Sequence, residues 1–386
     1  MAWEKVKLGD VCVSIADGDH LPPPKADCGI PFVTISNITS ANQFDFTNTM
    51  FVPQEYYDSL DEKRKPKVND ILYSVVGSFG KPVFIKDDSP FVFQRHIAIL
   101  RPDESKIYSR YLYYKMLSND FYMMADAVAV GAAQRTVSLT ALRNMKINIP
   151  NKETQKRIAA ILSAYDDLIE NNQKQIKLLE EAAQRLYKQW FIDLKFPGHE
   201  TTKIVDGLPE GWEKEKIDAV YNIKYGKNLP KTEIKDVGKY PVYGANGIIG
   251  YYDSPNCFQK VVLITSRGNG SGDVGCTKHK ESFVTNNSFI VLPNKSYNYY
   301  GFSFIYGQMN AMDFHSITTG SAQPQLTNNS ISTLNVNVPP QELITNFSGI
   351  VDNYYEKIDI LYNQMFCLQI ARDRLLPKLM SDEIEV

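Results

Sequence analysis

The sequence predicts an α+β protein in which two similar α/β domains are joined by two long antiparallel helices, the halves being related by a pseudo-two-fold internal repeat. Three observations predict it. The same ordered motifs occur twice along the 386 residues. Each copy opens with short apolar runs punctuated by Gly, Pro and Asn, the pattern of strands joined by turns. Each copy closes with apolar residues at spacings of three and four, the pattern of a one-faced helix. At roughly 150 residues per domain the length allows two or three units, and 43% hydrophobic with 22% charged residues excludes a disordered or fibrous chain.

The first domain is placed at 1–150. It opens with Trp3-Glu-Lys-Val-Lys-Leu; strands are expected over Ile30 to Ile35, Ile71 to Val76, Phe91 to Phe93 and Ile97 to Leu100, and a short helix around Ser109 to Met124. After Pro150 the period changes, and a central helical region is placed at 151–195. Its stripe is Ile158, Ile161, Tyr165, Leu168, Asn172, Ile176, Leu179, Ala183, Leu186 and Trp190. From about Asp166 to Trp190 such a helix is roughly 37 Å long, close to one turn of B-DNA. Residues 196–211 hold Pro197-Gly198 and Leu208-Pro-Glu-Gly211 without periodicity and form a linker.

The second domain, 212–338, restarts the pattern. Trp212-Glu-Lys-Glu-Lys-Ile repeats the opening at an offset of 209, and Leu72-Tyr-Ser-Val-Val-Gly77 is answered by Leu263-Ile-Thr-Ser-Arg-Gly268. Phe91-Val-Phe-Gln94 is aligned with Phe283-Val-Thr-Asn286. Gly131-Ala-Ala-Gln134 matches Gly320-Ser-Ala-Gln323 and Lys146-Ile-Asn-Ile-Pro150 matches Asn335-Val-Asn-Val-Pro339, both at an offset of 189. The first copy is therefore about 20 residues longer, with the excess expected near Thr39 to Asp61. The C-terminal helical region is placed at 339–386, its stripe being Phe347, Ile350, Tyr354, Leu361, Met365, Leu368, Leu375 and Leu379. Two equivalent halves in one chain predict an antiparallel helix pair, a C-terminus near Met1, and a register role for the polar Asn172 within its stripe.

Catalytic signatures fail on inspection. Gly270-Ser-Gly-Asp-Val-Gly275 spells a dinucleotide fingerprint, but no helical periodicity follows it, and that fingerprint must open a helix. No phosphate-binding G-x-x-x-x-G-K-[ST] loop and no Asn/Asp-Pro-Pro-aromatic tetrapeptide of an amino-methyltransferase occurs. Cys257, Cys276 and His279 lack paired metal spacing, and His96 reads as a polar loop residue. The five cysteines are scattered, which fits a reducing cytoplasm. No apolar run approaches a membrane span, and the opening residues carry no signal segment.

Binding chemistry remains. Each half sets a glycine turn after an apolar strand, Val76-Gly-Ser78-Phe-Gly-Lys81 and Arg267-Gly-Asn269-Gly-Ser271-Gly-Asp273. Amide and guanidinium side chains follow: Gln94, Arg95, Gln134 and Arg135 in one half, Asn286, Asn287, Gln323 and Gln325 in the other. Asn and Gln pair with adenine, and Arg with guanine, through two hydrogen bonds each. Lys63-Arg-Lys-Pro-Lys67 and the run Lys224, Lys227, Lys231, Lys235, Lys239 are phosphate-contact candidates; Lys63, Lys67 and Lys227 are singled out beside the turn residues. The net charge of −2 argues against a chain that grips duplex DNA alone. It averages a second domain with 12 Lys or Arg against 9 Asp or Glu, and a tail from 339 with 4 against 8.

Taken together, these residues resemble the DNA-specificity subunits of type I restriction-modification systems. The resemblance covers nearly the whole chain. It rests on the Trp-Glu-x-x-x-[Leu/Ile] openings, Pro241-Val-Tyr-Gly-Ala-Asn-Gly-Ile-Ile-Gly250, the glycine turns, the Gly-x-Ala-Gln segments, and the Ile-Pro or Val-Pro leading into each long helix with Ile161-Leu-Ser-x-x-Asp166-Asp-x-Ile169. Where such subunits carry Glu-Gln after that proline, this chain has Glu153-Thr-Gln155 and Gln341-Glu342. The resemblance implies two target-recognition domains reading the halves of an asymmetric bipartite site in double-stranded DNA, with the helices as spacer and docking scaffold. It implies no catalysis by this chain. Two methyltransferase subunits would bind S-adenosylmethionine, and two restriction or translocase subunits would use ATP and Mg, giving an adenine-N6 methyltransferase and ATP-dependent endonuclease in the cytoplasm. The alternative reading is a free-standing bipartite sequence-specific DNA-binding regulator.

Overall fold

The computed structural model describes residues 3–386 except Asp19, Leu21, Ser40, Ala133, Asn246, Ser321 and Ala322. The chain divides into two compact units, Met1–Glu170 with Met365–Val386, and Asn171–Gln364. The boundaries read at 151 and 339 mark where the sequence period changes; the compact units cross them, because each long helix gives one stretch to each unit.

In the first unit a four-stranded antiparallel sheet runs in the order Cys12–Asp17, Ile97–Pro102, Ile71–Ser74, Pro82–Phe84. Ile71–Ser74 is buried along its whole length, as a central strand covered on both faces requires. A three-stranded sheet sets Ile30–Val33 between Met50–Val52 and the parallel Val92–Phe93. Glu4–Lys7 pairs with Lys146–Ile149, where the alternation of Lys-Ile-Asn-Ile turns Ile147 and Ile149 inward. The expected helix at Ser109 to Met124 is two helices, Ser109–Leu117 and Asn119–Val128. Ser118 breaks it by adopting extended geometry, and its hydroxyl accepts a hydrogen bond from the Phe121 amide as an N-cap.

The second unit repeats the plan. Its four-stranded sheet runs Tyr221–Tyr225, Ser288–Pro293, Val262–Thr265, Val274–Cys276; its three-stranded sheet sets Tyr240–Gly244 between Gly247–Tyr252 and the parallel Phe283–Val284; and Glu213–Lys216 pairs with Asn335–Val338. Helix Phe302–Asn310 follows, and a 3-10 turn, His315–Ile317, stands where the first unit has its second short helix. The first copy's extra length lies in the connection between its two sheets: residues 34–70 join Ile30–Val33 to Ile71–Ser74, whereas 245–261 make the equivalent connection. One alignment needs correction. Val92–Phe93 corresponds to Phe283–Val284, so Phe91 to Gln94 answers Ser282 to Thr285 and not Phe283 to Asn286. Arg95 and His96 thus stand opposite Asn286 and Asn287.

The long helices span Lys152–Tyr187, continued by a π-helical turn at Lys188–Ile192, and Gln341–Met380. In the first unit Ile158, Ala159 and Leu162 share a core with Leu376, Leu379 and Met380, and Arg372 donates to Asp166 at 2.7 Å. In the second, Asn172 donates to Gln364 at 3.4 Å and Trp190 packs on Phe347 with ring centroids 5.9 Å apart. The numbers descend along one helix as they rise along the other, so the pairing is antiparallel in both. Two stripe positions were misplaced: Leu168 and Ile350 are exposed, and Ile169 and Val351 are buried instead, because a 3.6-residue period drifts past a strict alternation of threes and fours. Trp3, Ile384 and Val386 pack against one core, and Trp3 lines a groove with Asp382, Glu385 and Val386; Met1 falls outside the described residues. Among the described residues no helix is long and apolar enough to cross a membrane.

Candidate nucleic-acid interface

In the first unit the turn after Ile71–Ser74 is stitched to two other loops through backbone groups. Val75 N donates to His96 O at 2.9 Å, Gly77 N to Arg135 O at 2.9 Å, and Val137 N to Val75 O at 2.9 Å. The second unit makes the same three bonds with other residues: Ser266 N to Asn287 O at 2.8 Å, Gly268 N to Pro324 O at 3.0 Å, and Leu326 N to Ser266 O at 2.9 Å. The glycine turns, the 94–96 and 285–287 segments and the Gly-x-Ala-Gln loops are therefore gathered at one site per unit. Residues far apart in sequence come together because the central strand, Ile71–Ser74 or Val262–Thr265, ends in the glycine turn where its antiparallel neighbour, Ile97–Pro102 or Ser288–Pro293, begins.

A fourth loop joins each site, one that the sequence reading missed. Gly18 follows Cys12–Asp17 and Gly226 follows Tyr221–Tyr225. A Cβ would lie 2.2 Å from Phe93 O at Gly18 and 2.3 Å from Thr285 O at Gly226, so only glycine allows these backbones to approach. The offset of 209 between Trp3 and Trp212 sets Gly18 against Lys227, because a bulge between Cys12 and Ser14 gives the first strand one extra residue; spacing alone therefore does not pair the two glycines.

The candidate side chains fall into three groups. Ser78, Arg95 and Gln134 in the first site, and Lys227, Arg267, Asn269 and Gln323 in the second, are exposed at the gathered loops; Lys81, Gln94, Asn286, Asn287 and Gln325 are half-buried there. Lys227 belongs with Asn286, whose backbone N–H donates to Lys227 O at 3.1 Å. A second group is spent on shaping the loops. Ser271 is buried and its hydroxyl donates to Ser266 O at 3.2 Å, which removes it from the surface. Arg135 pairs with Asp126 and lies 5.7 Å from the Phe79 ring centroid; Phe79 stacks in turn on Tyr122 at 5.7 Å. The Arg135 guanidinium is thereby held against the turn, whereas Gln134 is exposed beside Gly77.

The third group comes from the two lysine runs, Lys63 to Lys67 and Lys231 to Lys239. Lys67 pairs with Glu62 at 3.1 Å, and the resulting ion pairs with Lys65 and Lys67 hold the Glu62 carboxyl below its usual range. Lys63 lines an open groove of about 580 Å³ along Cys12–Asp17, with Arg64, Arg143, Asp17 and Asp61. Lys235 is engaged by Asp253 at 2.7 Å. Among the excluded motifs, Gly270 to Gly275 leads into strand Val274–Cys276 and opens no helix. Burial pushes the thiols of Cys257 and Cys276 up to about 11, as for core cysteines. Exposed amides and guanidinium groups around close-packed glycines can read base edges, and the lysines beside them can meet phosphates.

The chain is similar to known proteins over both repeats. The model of the type I restriction modification DNA specificity domain matches residues 2–181 and 209–364, one match per repeat. The type I restriction enzyme MjaIX specificity subunit of Methanocaldococcus jannaschii is 26% identical over 303 residues, 72% of this chain and 70% of that one. The putative type I specificity subunit S.MgeORF438P of Mycoplasma genitalium is 26% identical over 326 residues, 82% of each. The crystal structure of the type I restriction-modification system S subunit from M. genitalium shares the fold, with a TM-score of 0.60 and 21% identity over 98% of this chain and 96% of that one. With the family match spanning both repeats, each with its own gathered loops, the chain belongs to the type I restriction-modification DNA specificity family and recognises DNA sequence through two target-recognition domains.

Proposed function

We propose that each unit reads one half of an asymmetric bipartite sequence in double-stranded DNA, and that the long helices serve as spacer and as docking scaffold for two methyltransferase subunits. The observation that supports this reading is the pair of gathered loop sites, built on the same backbone bonds but presenting Ser78, Arg95 and Gln134 in one and Arg267, Asn269 and Gln323 in the other. Equal frameworks with unequal side chains read unequal half-sites. In this reading the chain positions DNA and catalyses nothing. S-adenosylmethionine is held by the methyltransferase subunits, ATP and Mg by two restriction subunits, and the cytoplasmic complex methylates adenine at N6 and cuts unmodified DNA. The near-neutral charge fits a subunit whose partners supply much of the phosphate contact.

Affinity isolation of the tagged full-length chain from its host tests this. Methyltransferase subunits should co-purify, and the complex should transfer methyl groups from S-adenosylmethionine to adenine in duplex DNA only when the chain is present. A chain isolated alone that binds one duplex sequence tightly would point to a free-standing regulator instead.

A further inference from the structure

The two glycine turns differ most where they end. Ser74 N donates to Lys81 O at 3.1 Å, and Thr265 N donates to Asp273 O at 2.9 Å, so Lys81 and Asp273 occupy the same register position as the chain leaves the turn. A cation stands there in the first unit and a carboxylate in the second. The residue before each is a left-handed glycine, φ 99° at both Gly80 and Gly272, and each is covered by a ring from outside the turn. A Cβ on Gly80 would lie 2.6 Å from Tyr122 Cδ2, and one on Gly272 would lie 3.0 Å from His315 Nδ1. The ring over the second turn also reaches its carboxylate: His315 Nε2 is 3.2 Å from Asp273 Oδ1, and both side chains are 59% exposed.

We propose that Asp273, positioned by His315, is a specificity-determining acceptor that selects a base amino group, cytosine N4 or adenine N6, in the half-site read by the second unit. This rests on the reading that the glycine turn faces DNA. A carboxylate on such a surface repels phosphates, and base recognition is the setting in which it is useful: Asp and Glu accept from cytosine N4 in the major groove, and adenine N6 offers the same donor chemistry. An ionised carboxylate carries about four acceptor sites, so the contact with His315 fixes its direction and leaves others for a ligand. Lys81, at the same position in the first unit, offers only donors, which suit guanine O6 and N7. The second turn is one residue longer, 266–272 against 75–80, but both close on the same backbone bonds, so a carboxylate in place of the cation changes the complementary base edge at one register position.

The full-length chain, with its host's modification subunits, is selected against a randomised duplex DNA pool, and the wild-type motif defines both half-sites. Asp273→Ala, which removes the acceptor, should erase the preference for cytosine or adenine at one base pair of the second half-site, by about 5- to 100-fold, with the first half-site and the unfolding midpoint unchanged. The identity of the base lost tells cytosine from adenine. Asp273→Glu, which keeps the acceptor, should retain the preference, and His315→Ala should weaken it at that same position. A uniform rise in affinity for every duplex, or no change at any position, overturns the assignment. So does loss of the preference in both Asp273 variants with a lowered unfolding midpoint, which would make the pair a turn closure only. Arg267→Ala and Asn269→Ala separate the two levels. If they alter the second half-site and Asp273→Ala does not, the acceptor assignment alone falls; if none of the three alters it, the turn does not face DNA.

Discussion

The two units reach the same helix arrangement by different chemistry. In the first, the start of the long helix is clamped by Gln155, whose side chain is buried; its Oε1 accepts from Tyr108 N at 2.9 Å and its Nε2 donates to Pro150 O at 2.9 Å. Asp166 then accepts from Tyr114 OH at 2.6 Å and from Arg372 at 2.7 Å. In the second, the position equivalent to Gln155 is the buried Ile344, and the helices meet through Tyr187, Trp190, Phe191 and Phe304 packed around Phe347. A polar clamp is directional and fails sharply when one partner is removed. An aromatic cluster holds by area, so its strength depends on how completely it is filled. The departure from Glu-Gln at the second helix start is thus a replacement of hydrogen bonds by packing.

Substitutions on each side sharpen that contrast. Phe347→Ala should be the most damaging, destabilising the second unit by about 3 to 5 kcal/mol, since it empties the centre of the cluster. Denaturant unfolding followed by tryptophan fluorescence reads this directly, because Trp190 and Trp212 both lie in that unit. A loss below about 1 kcal/mol would show that the aromatic residues do not carry the pairing. Gln155→Ala should cost the first unit about 1 to 3 kcal/mol by stranding the Tyr108 amide and the Pro150 carbonyl, and Gln155→Leu should fail to rescue it. Rescue by leucine would mean that the first unit, like the second, needs only volume at this position.

A smaller and pH-dependent effect belongs to Lys115. Its buried ammonium lies 3.5 Å from Met380 O and 5.9 Å from the Trp3 ring centroid. Burial pulls its pKa below the ordinary 10.5, with Asp120 partly opposing the shift. The unfolded chain therefore binds this proton more tightly, the penalty is complete below the folded pKa, and stability rises with pH from there to about 10.5. Lys115→Met should flatten that rise and raise stability at neutral pH; an unchanged profile of melting temperature against pH would contradict it. The smallest change is expected from Asn172→Leu. Its bond to Gln364 is long at 3.4 Å, so stability should move by no more than about 1 kcal/mol, while spin-label distances between the helices within the second unit should broaden as the polar register mark is lost. An unaltered distance distribution removes the register role.

Much of this fold was legible in the sequence for a physical reason: strand and helix periods are written in side-chain polarity, and a repeat writes them twice. Ile158 and Phe347 both declared buried faces by spacing alone. What spacing does not encode is which polar side chain faces outward once a loop has folded. Ser271 and Arg135 look like readers in sequence, yet the first closes a turn and the second is held by Asp126 and Phe79. The one-residue slip at Phe91 arose because a phenylalanine begins both matched runs, and only strand register showed that Gln94 stands opposite Thr285. Gly18 and Gly226 went unnoticed because close backbone approach leaves no signature beyond the glycine itself.

The central claim is that each unit reads its own half-site, and mapping modified adenines across the host genome tests it most directly. With the wild-type chain the account predicts one asymmetric motif split by a fixed gap of unread base pairs. With Arg95→Ala and Gln134→Ala the first half should degenerate while the second and the gap persist, and Asn269→Ala with Gln323→Ala should do the reverse. A contiguous or palindromic motif, or variants of one unit that degrade both halves equally, would contradict it.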